Sequence, residues 1–201
     1  MARKAKPPAE RRLEMVEAAR RLFYSRGFAK TTISEIIEDV EVSKGLFYYY
    51  FGSKEEILDE IVNQLVAEDV AALEVIAAQA DLQPGEAIVM MLAMHRSLVA
   101  AGGDIAVQLR GINNPEIVIK TVRQVATRLS PIFAEVVQRG AAASQFRVED
   151  PRECIRILLS AFTFDAVFGA GAQRVDHDAA FLQILERSLG AAPGGLPGFR
   201  T

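Results

Sequence analysis

Residues 31–54 read TTISEIIEDVEVSKGLFYYYFGSK, and the fold is decided there. Thr32 stands three residues before Glu35, the spacing of a capping box, in which a hydroxyl and a carboxylate satisfy the first free amides of a helix. Ile33, Ile36, Ile37 and Val40 then supply a short apolar face of about two turns. Ser43 is placed to cap a third short helix through Phe51. Ser53 with Glu56 repeats the capping box at the head of a longer helix whose apolar face holds Ile57, Leu58, Ile61, Leu65 and Val66. Two short helices joined by a tight turn form a helix-turn-helix, and its second helix has the dimensions to enter a B-DNA major groove roughly 12 Å wide.

Upstream, Leu13, Val16, Ala19, Leu22 and Phe23 recur at helical spacing after Pro7 and Pro8, so a bracing helix is expected over about residues 9–26. Gly27 sits where a left-handed cap would end it, with Phe28 folding back. Downstream the helices lengthen, with expected spans near 54–80, 85–100, 104–110, 116–143 and 151–169, and a last one from Asp176 to Gly190. Pro131 is expected to kink or split the helix that contains it, with Ser130 as a local cap. Asp150, Pro151 and Glu153 form a strong start signal. There is no strand-like alternation, and the class read from the pattern is all-α. The expected organisation is a flexible basic arm at 1–8, a helix-turn-helix domain at 9–55, a larger helical bundle at 56–190 and a disordered tail at 191–201.

Charge is divided along the chain. Residues 1–54 carry eleven Lys and Arg against seven Asp and Glu, while the remainder carries twelve against nineteen. A small basic module on an acidic body suits a reader of one short DNA site rather than a protein coated in nucleic acid. Cys154 is the single cysteine, which excludes an intramolecular disulfide and a multi-thiolate metal site. His95 and His177 fall in no metal-ligand spacing, so neither a metal nor a cofactor is expected. The best candidate for a membrane span, Ile157 to Phe164, stops at Asp165, short of the roughly 18 residues needed. The basic opening, with Arg3, Lys4 and Lys6, lacks the apolar core of a secretory signal, and a cytoplasmic protein is expected.

The surface chemistry of the motif gives it a function. Thr32, Ser34, Lys44, Tyr48, Tyr49 and Lys54 are donors of the kinds that hold phosphate oxygens, and Gly45 in the first turn of the third helix lets its backbone approach a duplex closely. Thr31, Ser43 and Tyr50 complete the candidate DNA-binding set. An aromatic cluster such as Phe47 to Phe51 is ordinarily core. Helical spacing instead turns Phe47 and Phe51 inward and Tyr48 and Tyr49 outward.

Gly27, Phe28, Thr31, Thr32, Ile36, Val42, Ser43, Lys44, Gly45, Tyr48, Phe51, Lys54 and Glu55 together resemble the TetR family of bacterial regulators, over about residues 10–60. The resemblance implies that Lys44, Tyr48 and Tyr49 contact phosphates or bases, that Thr32 caps the second helix and touches phosphate, and that Lys54 clamps the DNA backbone. The sequence departs from the family at Val40 and Glu41, where an Ala-Gly pair is usual, at Ile37, where a small residue is usual, and at Tyr50, where histidine is frequent. Glu41 thereby gives up the easy positive φ of glycine.

The same resemblance implies that the larger domain encloses a small-molecule pocket and dimerises through its last two helices. For the pocket, Met90, Met91, Met94 and His95 on one segment join Phe133, Phe162, Asp165 and Phe168, a mixture of flexible and rigid apolar side chains suited to an apolar or amphipathic guest. For the homodimer interface, Ile155, Leu158, Leu159, Phe162, Phe181, Leu182, Leu185 and Leu189 are the expected residues. The partners so implied are double-stranded DNA, a small-molecule effector and a second copy of the chain, and not a membrane. A repressor on a near-palindromic operator is the expected function. An all-helical enzyme finds no nucleophile with a base, no metal set and no phosphate loop, and a helical protein-interaction module is the other alternative.

Overall fold

The computed structural model describes residues 7–101, 115–168 and 174–198, and among these every regular element is a helix. They are α1 (Pro8–Arg26), α2 (Ile33–Val40), α3 (Lys44–Tyr50), α4 (Lys54–Ala77), α5 (Pro84–Ala101), α6 (Pro115–Ala142), α7 (Pro151–Phe168) and α8 (Arg174–Leu189). The helix expected at 104–110 lies outside the described residues. No described helix is long and apolar enough to cross a membrane.

The local signals explain the ends of these helices. Pro8 begins α1, where its missing N–H costs nothing. Gly27 ends α1 with φ 91° and ψ 147°, and its amide donates to the Phe23 carbonyl at 2.9 Å. This is a positive φ with an extended ψ, a region open essentially to glycine alone, rather than the left-handed helical cap expected. It still returns Phe28 onto Phe23, edge to face at 5.0 Å. Thr32 and Glu35 form the capping box in full. At α4, the Ser53 hydroxyl accepts the Glu56 amide, but the Glu56 carboxylate reaches past the cap to the Gly52 amide, at 2.7 Å.

Pro131 does not split α6, which runs through it as a single helix. Only the bond to the carbonyl four residues earlier is lost, at exposed Thr127, where water can replace it. The expected disordered tail also differs from the structure, which describes it as far as residue 198. Leu196 is buried with its side chain beside Gly85 of α5, and its amide donates to the Glu186 carboxylate of α8 at 3.1 Å, so that stretch is held against the bundle.

One continuous apolar core joins the two ends of the molecule through α4. That helix packs against α1 on one side and against α5 and α6 on the other, while α6 lies along α7, and α7 along α8. The expected boundary at residues 55/56 falls in the first turn of α4, which runs through it unbroken.

Candidate nucleic-acid interface

The turn between α2 and α3 is built on Glu41, whose φ of 54° and ψ of 50° place it in the left-handed region. A side chain there costs roughly 1 kcal/mol or more. The chain accepts that cost because the turn closes on two amide donors, Glu41 to the Glu38 carbonyl and Val42 to the Ile37 carbonyl, each at 3.2 Å. The departure from glycine therefore leaves the turn conformation intact. Ser43 then caps α3 by accepting the Leu46 amide at 3.2 Å.

Helix α3 separates its aromatic residues as the spacing predicts. Phe47 and Phe51 are buried, the first against the Tyr48 ring at 5.5 Å and the second beneath the Arg12 guanidinium at 4.8 Å. Tyr48 is 47% and Tyr49 78% exposed, and Tyr50 is half-buried with its ring edge to face with Tyr49 at 5.1 Å. Ser43, Lys44 and Gly45 are exposed beside them. A Cβ built on Gly45 meets nothing within 4 Å, so nothing inside the protein requires glycine there.

Much of the remaining positive charge around this face is already neutralised. Arg12 pairs with Glu60, Arg21 with Asp39 and Arg26 with Glu35. Lys44, by contrast, has no ion-pair partner among the described residues, and the first turn of α3 holds no acidic side chain.

Three expected DNA contacts are differently employed. Thr31 is buried, and its hydroxyl donates inward to the Gly27 carbonyl at 2.8 Å. The Thr32 hydroxyl is exposed, yet its proton and its backbone amide are both given to Glu35, at 3.0 and 2.8 Å. Those bonds, first the backbone one, hold the Glu35 carboxyl below its ordinary range, and the carboxylate so fixed occupies the start of α2 where a phosphate would have to sit. The Lys54 ammonium donates to the carbonyls of Phe28 at 2.6 Å and Thr31 at 2.9 Å and lies 4.3 Å over the Phe28 ring. Burial lowers its pKa, and two of its three N–H groups are spent bracing α4 against the loop after α1. Ser34 remains exposed on α2. The outward set the structure brings together is thus Ser43, Lys44, Gly45, Tyr48 and Tyr49, with Ser34 and Tyr50 at its border.

The expected pocket residues fall into two groups. Met91, His95, Phe133 and Phe162 are buried, whereas Met90 and Met94 lie exposed on the other side of α5. Asp165 is half-buried, and the Phe168 side chain lies outside the described residues. A core void bordered by Leu92, Phe133, Leu159 and Phe181 measures only about 10 Å³. At the surface, Arg123 borders a cleft of about 220 Å³ with Val122, Arg156, Ser160 and Phe164.

His95 brings in two residues that the sequence reading passed over. Its Nδ1 meets the Asp69 Oδ2, and its Nε2 lies 3.1 Å from the Thr163 hydroxyl. All three are buried, and Asp69 Oδ1 has no hydrogen-bond partner among the described residues. A signal for Asp69 did exist, since Val62, Val66, Asp69, Leu73 and Ile76 follow the 4-3-4-3 spacing of one helical stripe and all are buried.

Most of the expected dimer residues lie inside the single chain. Ile155, Leu159, Phe162, Phe181, Leu185 and Leu189 are buried in the chain's own core, with Leu158 and Leu182 half-buried. These residues face inward because the bundle itself requires them. Among the side chains described on these helices, the large apolar ones exposed are Ile157 and Phe164 on α7 and Ile184 on α8, with Ala161 and Ala180 also exposed.

Residues 15–61 match the family described as bacterial regulatory proteins, tetR family. The HTH-type transcriptional regulator TtgR of Pseudomonas putida is 39% identical over 66 residues, covering 32% of this chain and 31% of that one. The chain thus matches about a third of the length of this curated relative. Over nearly the whole chain, a transcriptional regulator of the TetR/AcrR family from Thermobifida fusca has a TM-score of 0.65 at 26% identity, covering 96% of this chain and 100% of its own. The FadR repressor of Thermus thermophilus, solved with lauroyl-CoA, has a TM-score of 0.67 at 23% identity, covering 89% and 94%. Residues 15–61 thus carry the helix-turn-helix of the tetR family, and the all-helical fold is shared along the length of the chain with solved regulators of the TetR/AcrR family.

Proposed function

We propose that the chain is a DNA-binding transcriptional regulator acting as a repressor: a homodimer sets two copies of α3 into successive major-groove half-sites of a near-palindromic operator, and a small apolar or amphipathic ligand releases it. The observation that carries this reading is the outward face of α3. Two tyrosines stand exposed beside a lysine with no ion-pair partner among the described residues, while Phe47 and Phe51 fix the helix from behind. Exposing that much ring surface forfeits on the order of 1 kcal/mol of burial per residue, which a partner surface would recover. A basic, hydroxyl-bearing rod of this size fits a phosphate-lined groove.

Dimerisation is supported by the exposed apolar face of Ile157, Ala161 and Phe164 on α7 with Ile184 on α8. One seven-residue helix makes few contacts, and two linked by a two-fold axis read half-sites about 34 Å apart. Repression and release by a small molecule are supported by the Thermus thermophilus neighbour, a repressor solved with lauroyl-CoA. The action is binding rather than catalysis.

The test is to sequence the chromosomal fragments that the full-length protein retains, and to titrate the enriched fragment at several salt concentrations. Specific retention is expected, with affinity falling on the order of a thousandfold or more between 50 and 200 mM salt through counterion release. Retention of proteins instead, with no salt dependence, would establish an interaction module in its place.

A further inference from the structure

The group formed by Asp69 on α4, His95 on α5 and Thr163 on α7 has a polar valency that the described fold leaves open. The Asp69 side chain is 6% exposed and that of His95 1%. The imidazole uses both nitrogens, one on Asp69 Oδ2 and one on the Thr163 hydroxyl. Asp69 Oδ1 is left buried with no partner among the described residues. A carboxylate oxygen in that position bears the full cost of losing water, and apolar side chains of similar volume would fill the space at no such cost. The stripe around it is otherwise apolar, with Val66 and Leu73 a turn away on either side.

Three occupants can be weighed. A metal ion would have only Asp69 and His95 to hold it, and no group of three or more potential ligands occurs among the described residues. A trapped water is typically held by about three polar partners, and beside Asp69 Oδ1 only the Thr163 hydroxyl of this group keeps a free valency. What Oδ1 lacks is a single donor. An incoming carboxylate has no hydrogen to donate and would leave Oδ1 unsatisfied.

We propose that Asp69, held by His95 and Thr163, anchors the polar end of the effector, and that this effector is a small amphipathic molecule whose head donates a hydrogen bond and carries no negative charge, a hydroxyl or an amine on an apolar body. The assignment rests on reading the chain as an effector-responsive regulator and narrows the class of ligand. The anchor lies on α4, the helix that also reaches the DNA-binding face.

The experiment is calorimetric titration of the full-length protein with 4-butylphenol, 4-butylbenzylamine and 4-butylbenzoate, which share one apolar body and differ in the head. The phenol or the amine is expected to bind at least tenfold more tightly than the benzoate, and whichever of the two is tighter identifies the head as hydroxyl or cation. Asp69→Asn keeps the shape but can turn an N–H₂ toward the open position. In that variant the order inverts, the benzoate gaining and the amine weakening by about tenfold to a hundredfold. An Asp69 that merely held His95 in place would produce no inversion. Equal binding of all three heads, tighter binding of the benzoate by the unaltered protein, no binding by any of them, or an unchanged order in Asp69→Asn overturns the assignment. Should the Asn variant not fold, Asp69→Leu with His95→Leu replaces it, and undiminished phenol binding there is equally fatal. Retention of DNA without probe is scored separately. A protein that retains no DNA ends the regulatory reading, while the titrations still decide the anchor.

Discussion

Replacing Gly45 by alanine separates the needs of the fold from those of the groove. Gly45 is the second residue of α3, it is exposed, and an added Cβ meets nothing within 4 Å. Within the protein the substitution therefore brings only the helix preference of alanine over glycine, up to roughly 1 kcal/mol in a helix interior and about half that in a first turn. In a chain of this size a gain of about 0.5 kcal/mol raises the melting temperature by about 1–2 °C. If the start of α3 approaches DNA closely, the same methyl is an overpacked contact costing about 1–3 kcal/mol in each half-site, a tenfold to hundredfold loss per half-site that the dimer doubles in free energy. Thermal unfolding followed by circular dichroism gives the first quantity, and fluorescence anisotropy on the captured fragment gives the second. A raised melting temperature with unchanged affinity would refute the placement of α3 in the groove. A lowered melting temperature would show that the glycine serves the fold, and any loss of binding would then be indirect.

Lys44→Ala is expected to weaken binding on every sequence alike and to reduce the slope of log affinity against log salt by about two per dimer, one phosphate contact from each subunit, without dissociating the dimer. Lys54→Met removes two charge-assisted bonds and a ring contact that brace α4, so stability should fall by about 1–3 kcal/mol while the salt slope stays unchanged; a reduced slope would restore Lys54 to a phosphate contact. Ile184→Arg places a charge on the exposed apolar face of α8 and should convert dimer to monomer in analytical ultracentrifugation, whereas Leu185→Ala should lower stability by about 2–5 kcal/mol because that residue is core. The Glu60 carboxyl is held below its ordinary 4.5 by the hydrogen bond and charge of Arg12, so its contribution to stability is present above that pH and is lost as pH falls through the lowered value. Urea unfolding of Glu60→Gln should accordingly show a flatter acid limb than the unaltered protein, and equal limbs would mean that the pair contributes nothing.

Elements governed by short-range chemistry were legible in the sequence, and elements governed by what lies opposite were not. The capping residues Thr32, Ser43 and Ser53 act on amides three residues away, so their roles follow from spacing alone. The division of the aromatic run follows from the 100° that each helical residue turns. The bracing role of Lys54 was not legible because its partners are carbonyls 23 and 26 residues earlier, at a loop whose position no local pattern encodes. The same holds for the interface, where hydrophobicity names the apolar residues of α7 and α8 but packing alone decides that Leu185 faces the core and Ile184 the outside. Asp69 was hidden for the opposite reason. A lone acid in an amphipathic helix ordinarily marks the solvated face, and only its exact register on the stripe of Val66 and Leu73 reveals it as buried.

Helix α4 is where the two halves of the reading meet. Lys54 fastens its first turn to the loop between α1 and α2, Glu60 fastens its second to α1, and Asp59 and Asn63 meet Lys120 and Gln124 of α6. Asp69 stands fifteen residues beyond Lys54, about 22 Å along a helix rising 1.5 Å per residue. A rod held at one end by the DNA-binding helices converts a tilt of about 10° at the far end into a displacement of about 4 Å, enough to take two recognition helices out of step with successive grooves. A ligand can drive this only by its preference for the tilted state, and a tenfold loss of operator affinity requires a preference of about 1.4 kcal/mol. One charge-assisted hydrogen bond to a buried carboxylate is worth about 1.5–3 kcal/mol, so a donor at Asp69 Oδ1 is by itself sufficient if the bond forms only when α4 has moved. Spin labels at Glu55 on the two subunits, read with and without 4-butylphenol, would report that movement directly. A bound probe that leaves the label separation and the operator affinity unchanged would show that the anchor holds a ligand without transmitting it.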